Sequence, residues 1–248
     1  MCGRLNITDS AGVKALCEQL DIALWPAQGM QFARFVRPTQ TVSIVFAQPT
    51  ASQAHGQPSN VRVMRNAVWW LLLEPDEQPD RLTFKPSRYT SFNTRYDKLN
   101  KPGSAGYRAY RQQRCIIPAH GFGETLVRGS QKYYHDLVPE PPTGLAMGGL
   151  YRQWQGVDED GQATIEYSCS VVTLPPHQKL GAVHTKASPL ILSTEDDSVQ
   201  RWLDPTINEP ARLDDLLVPR LRHSYLAQPV DKPSTYQSQG EAFSISKD

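Results

Sequence analysis

Apolar positions along the chain fall mostly into short alternating or continuous runs. TVSIVFA (41–47), the stretch 61–73, RCIIP (114–118), LAMGGLYRQW (145–154) and IEYSCSVVT (165–173) predict strands. Within the second of these, AVWWLLL (67–73) reads as a buried strand and is too short to span a membrane. Helical spacing is rarer. Val13, Leu16, Cys17 and Leu20 share one face of a helix predicted over 9–20, with Asp9 at its N-cap. Helical patterns return near 105–113, over 194–203 with Ser193 or Thr194 as cap, and over 209–218. Strands outnumber helices and do not alternate with them. The pattern therefore predicts an α+β fold, a single domain on an antiparallel, barrel-like β-sheet core with flanking helices, rather than a doubly wound sheet. QPTASQAHGQPSN (48–60) reads as a surface loop. The chain divides into a domain over 1–227 and a polar tail over 228–248, rich in Ser, Gln and Pro, for which a mobile segment and one wrapped on the core are both open.

Composition narrows the class. The chain has 248 residues, 39% hydrophobic and 21% charged, with no apolar run long enough for a membrane helix and no basic-then-apolar leader at the N-terminus. Cys2, Cys17, Cys115 and Cys169 lack CxxC spacing and a matching His pair, which argues against a disulfide framework or a structural metal. The expected setting is the reducing cytoplasm, at the nucleoid in a bacterium. A net charge of +1 hides an asymmetry: between 81 and 132 there are eleven Lys and Arg but only two acids, Asp97 and Glu124. Such a block suits either a polyanion or a solvated basic surface.

The N-terminal MCGRLN raises a question of chemistry. Removal of Met1 would give Cys2 a free α-amine beside its thiol. An α-amine with a pKa of about 7.7–8.0 is partly unprotonated at neutral pH. It can attack an aldehyde, and the neighbouring thiol can close on the imine to form a thiazolidine. The ring-opened abasic deoxyribose of DNA is such an aldehyde. Three further stretches carry suitable groups. SFNTRYDK (91–98) places Asn93 and Arg95 on one side of a local strand. RCIIPAHGFGET (114–125) reads as a strand that breaks at Pro118 and leads through a glycine-flanked turn to Glu124. AVHTKASPLIL (182–192) sets His184 at the edge of an apolar run, near Lys186. A carboxylate and an imidazole meet the proton transfers of imine formation.

MCGRLN, FNTRYDKL (92–99), RCIIPAHGFGET, GGLYRQW (148–154) and AVHTKASPLILSTEDDSVQRWLD (182–204) occur in the order found in the SRAP family, which this chain resembles over roughly residues 2–204. VRPTQTVSIV (36–45) and VWWLLLEP (68–75) also resemble segments of that family. The resemblance implies shielding of abasic sites in single-stranded DNA through a covalent thiazolidine crosslink at Cys2. It assigns Asn93 to orienting the N-terminus and sugar, Glu124 to acid–base work, and His184 to Schiff-base chemistry or its reversal. Arg4 and Arg95 are implied as phosphate contacts, with Lys186 beside them. Trp69, neighboured by Trp70, is implied at the DNA-binding edge. No cofactor or metal is implied, and a monomer without membrane association is expected.

Departures from the family pattern lie at Gly123 and Thr125 beside Glu124, at Tyr96 and Asp97 after Arg95, and at Thr185 and Lys186 after His184. Small neighbours at 123 and 125 predict a more solvated Glu124 with a weaker upward pKa shift. Three other readings compete. A Cys2-dependent peptidase or autopeptidase would use the same residues. A class II glutamine amidotransferase also begins Met-Cys-Gly, although this chain has no Asn-Gly pair. A plain single-strand-binding module would not need Cys2.

Overall fold

A computed structural model of the protein describes residues 3–49 and 60–248. Cys2 and most of the loop expected at 48–60 lie outside the described residues. Five strands close into a barrel: Thr41–Pro49, Asn60–Val68, Ala163–Leu174, Leu145–Val157 and Arg114–Ala119. Neighbours are antiparallel except at one seam, where Ser168 pairs in parallel with Val68. A second sheet is wholly antiparallel, in the order Phe243–Ile245, Ser224–Val230, Gln131–Glu140, Gly121–Arg128, Arg4–Ile7 and Ala33–Val36. The α+β, barrel-based expectation is met.

The continuous apolar look of the barrel strands has a simple cause: both of their faces are buried. Ile44, Phe46, Ile117, Met147 and Val171 point into a core shared with Leu5, Phe122 and Leu137 of the second sheet. Their neighbours Val45, Ile116, Ala146 and Val172 point outward and pack beneath the helices, against Leu16, Tyr110, Trp202 and Leu213. The first helix is Ala11–Gln19, and its cap is Ser10, whose hydroxyl accepts from the Val13 N–H, rather than Asp9. Helices form at Tyr107–Gln112 and Ser198–Leu203, the latter with Asp197 at its N-cap position rather than Ser193 or Thr194, and Pro210–Leu217 is 3-10. Among the described residues no helix is long and apolar enough to cross a membrane.

Four expectations are corrected. AVWWLLL is not one strand: pairing stops at Val68 and resumes at Leu73, while Ala67, Trp69, Leu71 and Leu73 are buried in alternation. Pro118 does not break its strand, and Gly121 and Gly123 lie inside the next one rather than in a turn. A Cβ on Gly121 would stand 2.4 Å from the Leu137 carbonyl, so glycine serves close strand approach there. The segment after 227 is no separate tail. Its supposed boundary falls within the strand Ser224–Val230, Ile245 is buried, and Asp248 accepts from the Leu221 N–H and pairs with Lys179. The basic block is not one open surface either. Arg114 is buried and donates to the carbonyls of Tyr110, Arg111, Trp202 and Asp204, while Arg81, Lys85 and Arg95 pair with Glu159, Asp76 and Asp97.

Candidate active site

Glu124 sits in the middle of the strand Gly121–Arg128, between the N-terminal strand and the strand Gln131–Glu140. Arg4 lies opposite Gly123, Gly123 opposite Asp136, and Glu124 opposite His135. Strand alternation puts Arg4, Gly123 and Asp136 on one face and Glu124 and His135 on the other, the face of Phe122 and Leu137. The same register sets Glu124 one step beyond Arg4, on the side from which the chain enters its first strand.

His184 arrives from a different element. A 3-10 turn at Gln178–Leu180 is followed by a bend in which the His184 N–H donates to the Leu180 carbonyl. Its Nδ1 lies 3.0 Å from the Thr125 carbonyl and 3.3 Å from Glu124 Oε2. A carbonyl can only accept, so Nδ1 is assigned the proton in the neutral ring and Nε2 the lone pair. Burial holds the imidazole below its ordinary pKa, and the nearby charge of Lys186 adds to this, against the Thr125 carbonyl bond.

Glu124 is only 2% exposed, and burial raises its carboxyl to about 7, partly offset by Arg4 and by a main-chain bond at Thr125. This overturns the expected solvation. Gly123 does not open Glu124 to water, because the space a side chain would take is filled by Arg4: a Cβ at 123 would lie 1.9 Å from Arg4 Nε. Arg4 is itself buried, donating from Nη2 to the His135 carbonyl at 2.8 Å and to the Glu124 carbonyl at 3.4 Å. It is a cation built into the strands.

Trp69 is likewise corrected. It is fully buried, and its indole N–H donates to the Phe92 carbonyl at 2.8 Å, bracing the residue before Asn93. Trp70 is half-buried, donates to the Ser87 carbonyl and packs on Phe92. Neither presents a wedge to solvent. Asn93 and Arg95 do flank Thr94 on a short strand, Asn93–Arg95, which runs parallel to Ala163–Leu174. Arg95 and Lys186 are exposed and line a common groove of about 400 Å³. Thus Asn93's strand and His184's loop border one opening.

Sequence reading missed Asp136, His135 and Tyr236. Asp136 is buried with its carboxyl raised to about 6, chiefly by burial, and the Tyr236 hydroxyl lies 3.4 Å from its Oδ1. Tyr236 also donates to the Arg34 carbonyl, beneath the Arg34 guanidinium.

Known proteins supply the context. The family model for SOS response associated peptidase (SRAP) matches residues 1–233. An abasic site processing protein of Bacillus subtilis, YobE, is 24% identical over 221 residues, covering 88% of this chain and 89% of its own. The abasic site processing protein HMCES of Xenopus tropicalis is 26% identical over 59% of this chain and 46% of its own. Among solved structures, a protein of Bordetella bronchiseptica superposes with a TM-score of 0.67 at 15% identity, over 93% of this chain and 100% of that one. One of Bacteroides thetaiotaomicron does so at 0.65 and 18%, over 96% and 95%.

Proposed function

Since this chain belongs to the SOS response associated peptidase family, we propose that it processes abasic sites in DNA, by a covalent crosslink to the single strand through Cys2. The observation that carries the reading is the buried Glu124–His184 pair, at 3.3 Å, beside the point where the N-terminus enters its strand. In the proposed reaction the Cys2 amine, freed of Met1, adds to the C1′ aldehyde. Glu124 protonates the departing hydroxyl and takes back the carbinolamine N–H proton, so that a neutral imine forms with loss of water. His184 Nε2 accepts the thiol proton, the sulfur adds to the imine carbon, and the ring nitrogen takes the proton. A carboxyl near 7 can both give and accept protons at neutral pH. Asn93 would orient the sugar, with Arg95 and Lys186 on phosphates.

A denaturing-gel assay with an abasic single-stranded oligonucleotide tests this. Wild-type protein freed of Met1 should give a heat-stable band, Cys2→Ala none, and Glu124→Gln and His184→Ala slower formation; a band of equal yield from Cys2→Ala would end the proposal. The same pair also suits self-catalysed removal of Met1. In that case Glu124→Ala would keep Met1 in a synthesis system that lacks aminopeptidase.

A further inference from the structure

Glu124 and His184 meet at 3.3 Å, yet they are carried by different parts of the fold. Glu124 belongs to the second sheet, whereas His184 lies in the connection between the barrel strand Ala163–Leu174 and the short strand Ser188–Pro189. Residues 243–248 reach both parts. The strand Phe243–Ile245 forms an edge of the second sheet, and the Phe243 ring meets the His135 ring edge-on at a centroid distance of 6.0 Å. His135 is the cross-strand partner of Glu124 and shares its face. Ile245 is buried in the same core as Leu180 and Val183, which lead into the bend at His184.

Beyond Ile245 the chain grips the His184 connection through one carboxylate. Asp248 Oδ2 accepts from the Leu221 N–H at 2.9 Å and lies 3.0 Å from His177 Nε2, while Oδ1 lies 2.9 Å from Lys179 Nζ. His177 Nδ1 accepts from the Lys179 N–H, so Nε2 is assigned the proton and donates to Asp248. Lys179 Nζ also donates to the Lys247 carbonyl at 2.7 Å. The Leu221 N–H, followed by the Lys179 ammonium, holds the Asp248 carboxyl far below its ordinary pKa, at about 2, so the acceptor stays ionised throughout the neutral range. His177 and Lys179 cap and form the 3-10 turn, and from that turn it is one step to the site: the Leu180 carbonyl accepts from the N–H groups of Val183 and His184. Each of these half-exposed pairs is worth little to global stability. Together they fix how the turn is oriented, and a displacement of about 1 Å at a proton-transfer group is enough to slow a reaction.

We propose that Asp248 is a positioning residue for the reaction: by clamping the turn at His177 and Lys179 it holds His184 in place against Glu124. This rests on the reading of Glu124 and His184 as the acid–base pair. Asp248 lies outside residues 1–233, the stretch that the family model matches. It touches no reacting atom and acts only through the imidazole it helps to place.

The test reads rate, affinity and local opening separately. Adduct formation is followed with excess protein freed of Met1 on an abasic single strand, and affinity by fluorescence anisotropy on a strand with tetrahydrofuran in place of the sugar, which has no aldehyde. Asp248→Ala should form the adduct about five- to tenfold more slowly at saturation. Its affinity should be unchanged, the split expected of a residue that acts on the chemical step and not on binding. In the His184→Ala background, Asp248→Ala should slow the reaction no further. A rate unaltered by Asp248→Ala, or a loss that carries over in full to the His184→Ala background, would overturn the proposal. Amide hydrogen exchange gives a readout free of chemistry. The Val183 and His184 amides should exchange about tenfold faster in Asp248→Ala, while those of the barrel strand Arg114–Ala119 keep their wild-type rates. If wild-type protein forms no adduct, the acid–base reading falls and exchange decides the clamp: faster opening at 183–184 keeps it, and unchanged exchange removes it. A wild-type adduct whose rate and amide exchange are both untouched by Asp248→Ala keeps the acid–base reading and removes the clamp.

Discussion

Replacing Glu124 with Gln keeps the shape of the side chain and removes its ionisation. Burial raises the carboxyl from 4.5 to about 7, and each unit corresponds to about 1.4 kcal/mol, so ionising Glu124 within the fold costs on the order of 3 kcal/mol more than in the unfolded chain. The folded state holds this proton more tightly. Its contribution is therefore complete below the unfolded pKa and is lost as pH rises through about 7. Between pH 5 and pH 8 this one group should cost the wild type about 2 kcal/mol that Glu124→Gln does not lose. Other titrating groups are shared and cancel in the difference. Urea unfolding of both proteins at the two pH values measures it: the stability of the Gln variant relative to wild type should improve by about 2 kcal/mol at the higher pH. An offset that is the same at pH 5 and pH 8 would refute the argument that burial governs this carboxyl.

Other substitutions probe the supporting structure. Gly123→Ala must displace the Arg4 guanidinium and should destabilise by about 1–3 kcal/mol, with less than additive loss when combined with Arg4→Ala in denaturant unfolding. Trp69→Ala should cost about 3–5 kcal/mol, as expected of a buried ring, whereas Trp70→Ala should cost about 1; thermal melts of the two distinguish a core brace from a half-exposed ring. Arg95→Ala should reduce the slope of log affinity for single-stranded DNA against log salt by about one, a plot that Arg4→Ala should leave unchanged if Arg4 touches no phosphate.

The barrel was legible where strands bury both faces, because TVSIVFA and RCIIP advertise themselves by apolar content alone. The second sheet was not. Its strand Gly121–Arg128 begins Gly-Phe-Gly and its partner Gln131–Glu140 has no aliphatic residue in its first six positions, so neither stands out as a strand until Gly121 is seen against Leu137 and Gly123 against Arg4. Residues 228–248 left two readings open for a similar reason. A Ser- and Gln-rich composition speaks of disorder, yet Ile245, Tyr236 and Asp248 each find a specific partner far away in sequence. At the site, residue type was readable and environment was not. Glu124 and His184 stand out by chemistry, but small neighbours suggested an open carboxyl when a distant arginine closes it. Trp69 was placed at the DNA-binding edge by resemblance, whereas its own apolar run pointed to burial; nothing local shows that its N–H is spoken for by Phe92.

The most direct test of the account is the intact mass of the product formed by protein freed of Met1 with single-stranded DNA carrying one abasic site. The account predicts the summed masses of protein and DNA less one water, with the modification mapping to Cys2 and absent from protein that retains Met1. A product of that mass attached at a lysine, or no product at any salt concentration, would contradict it.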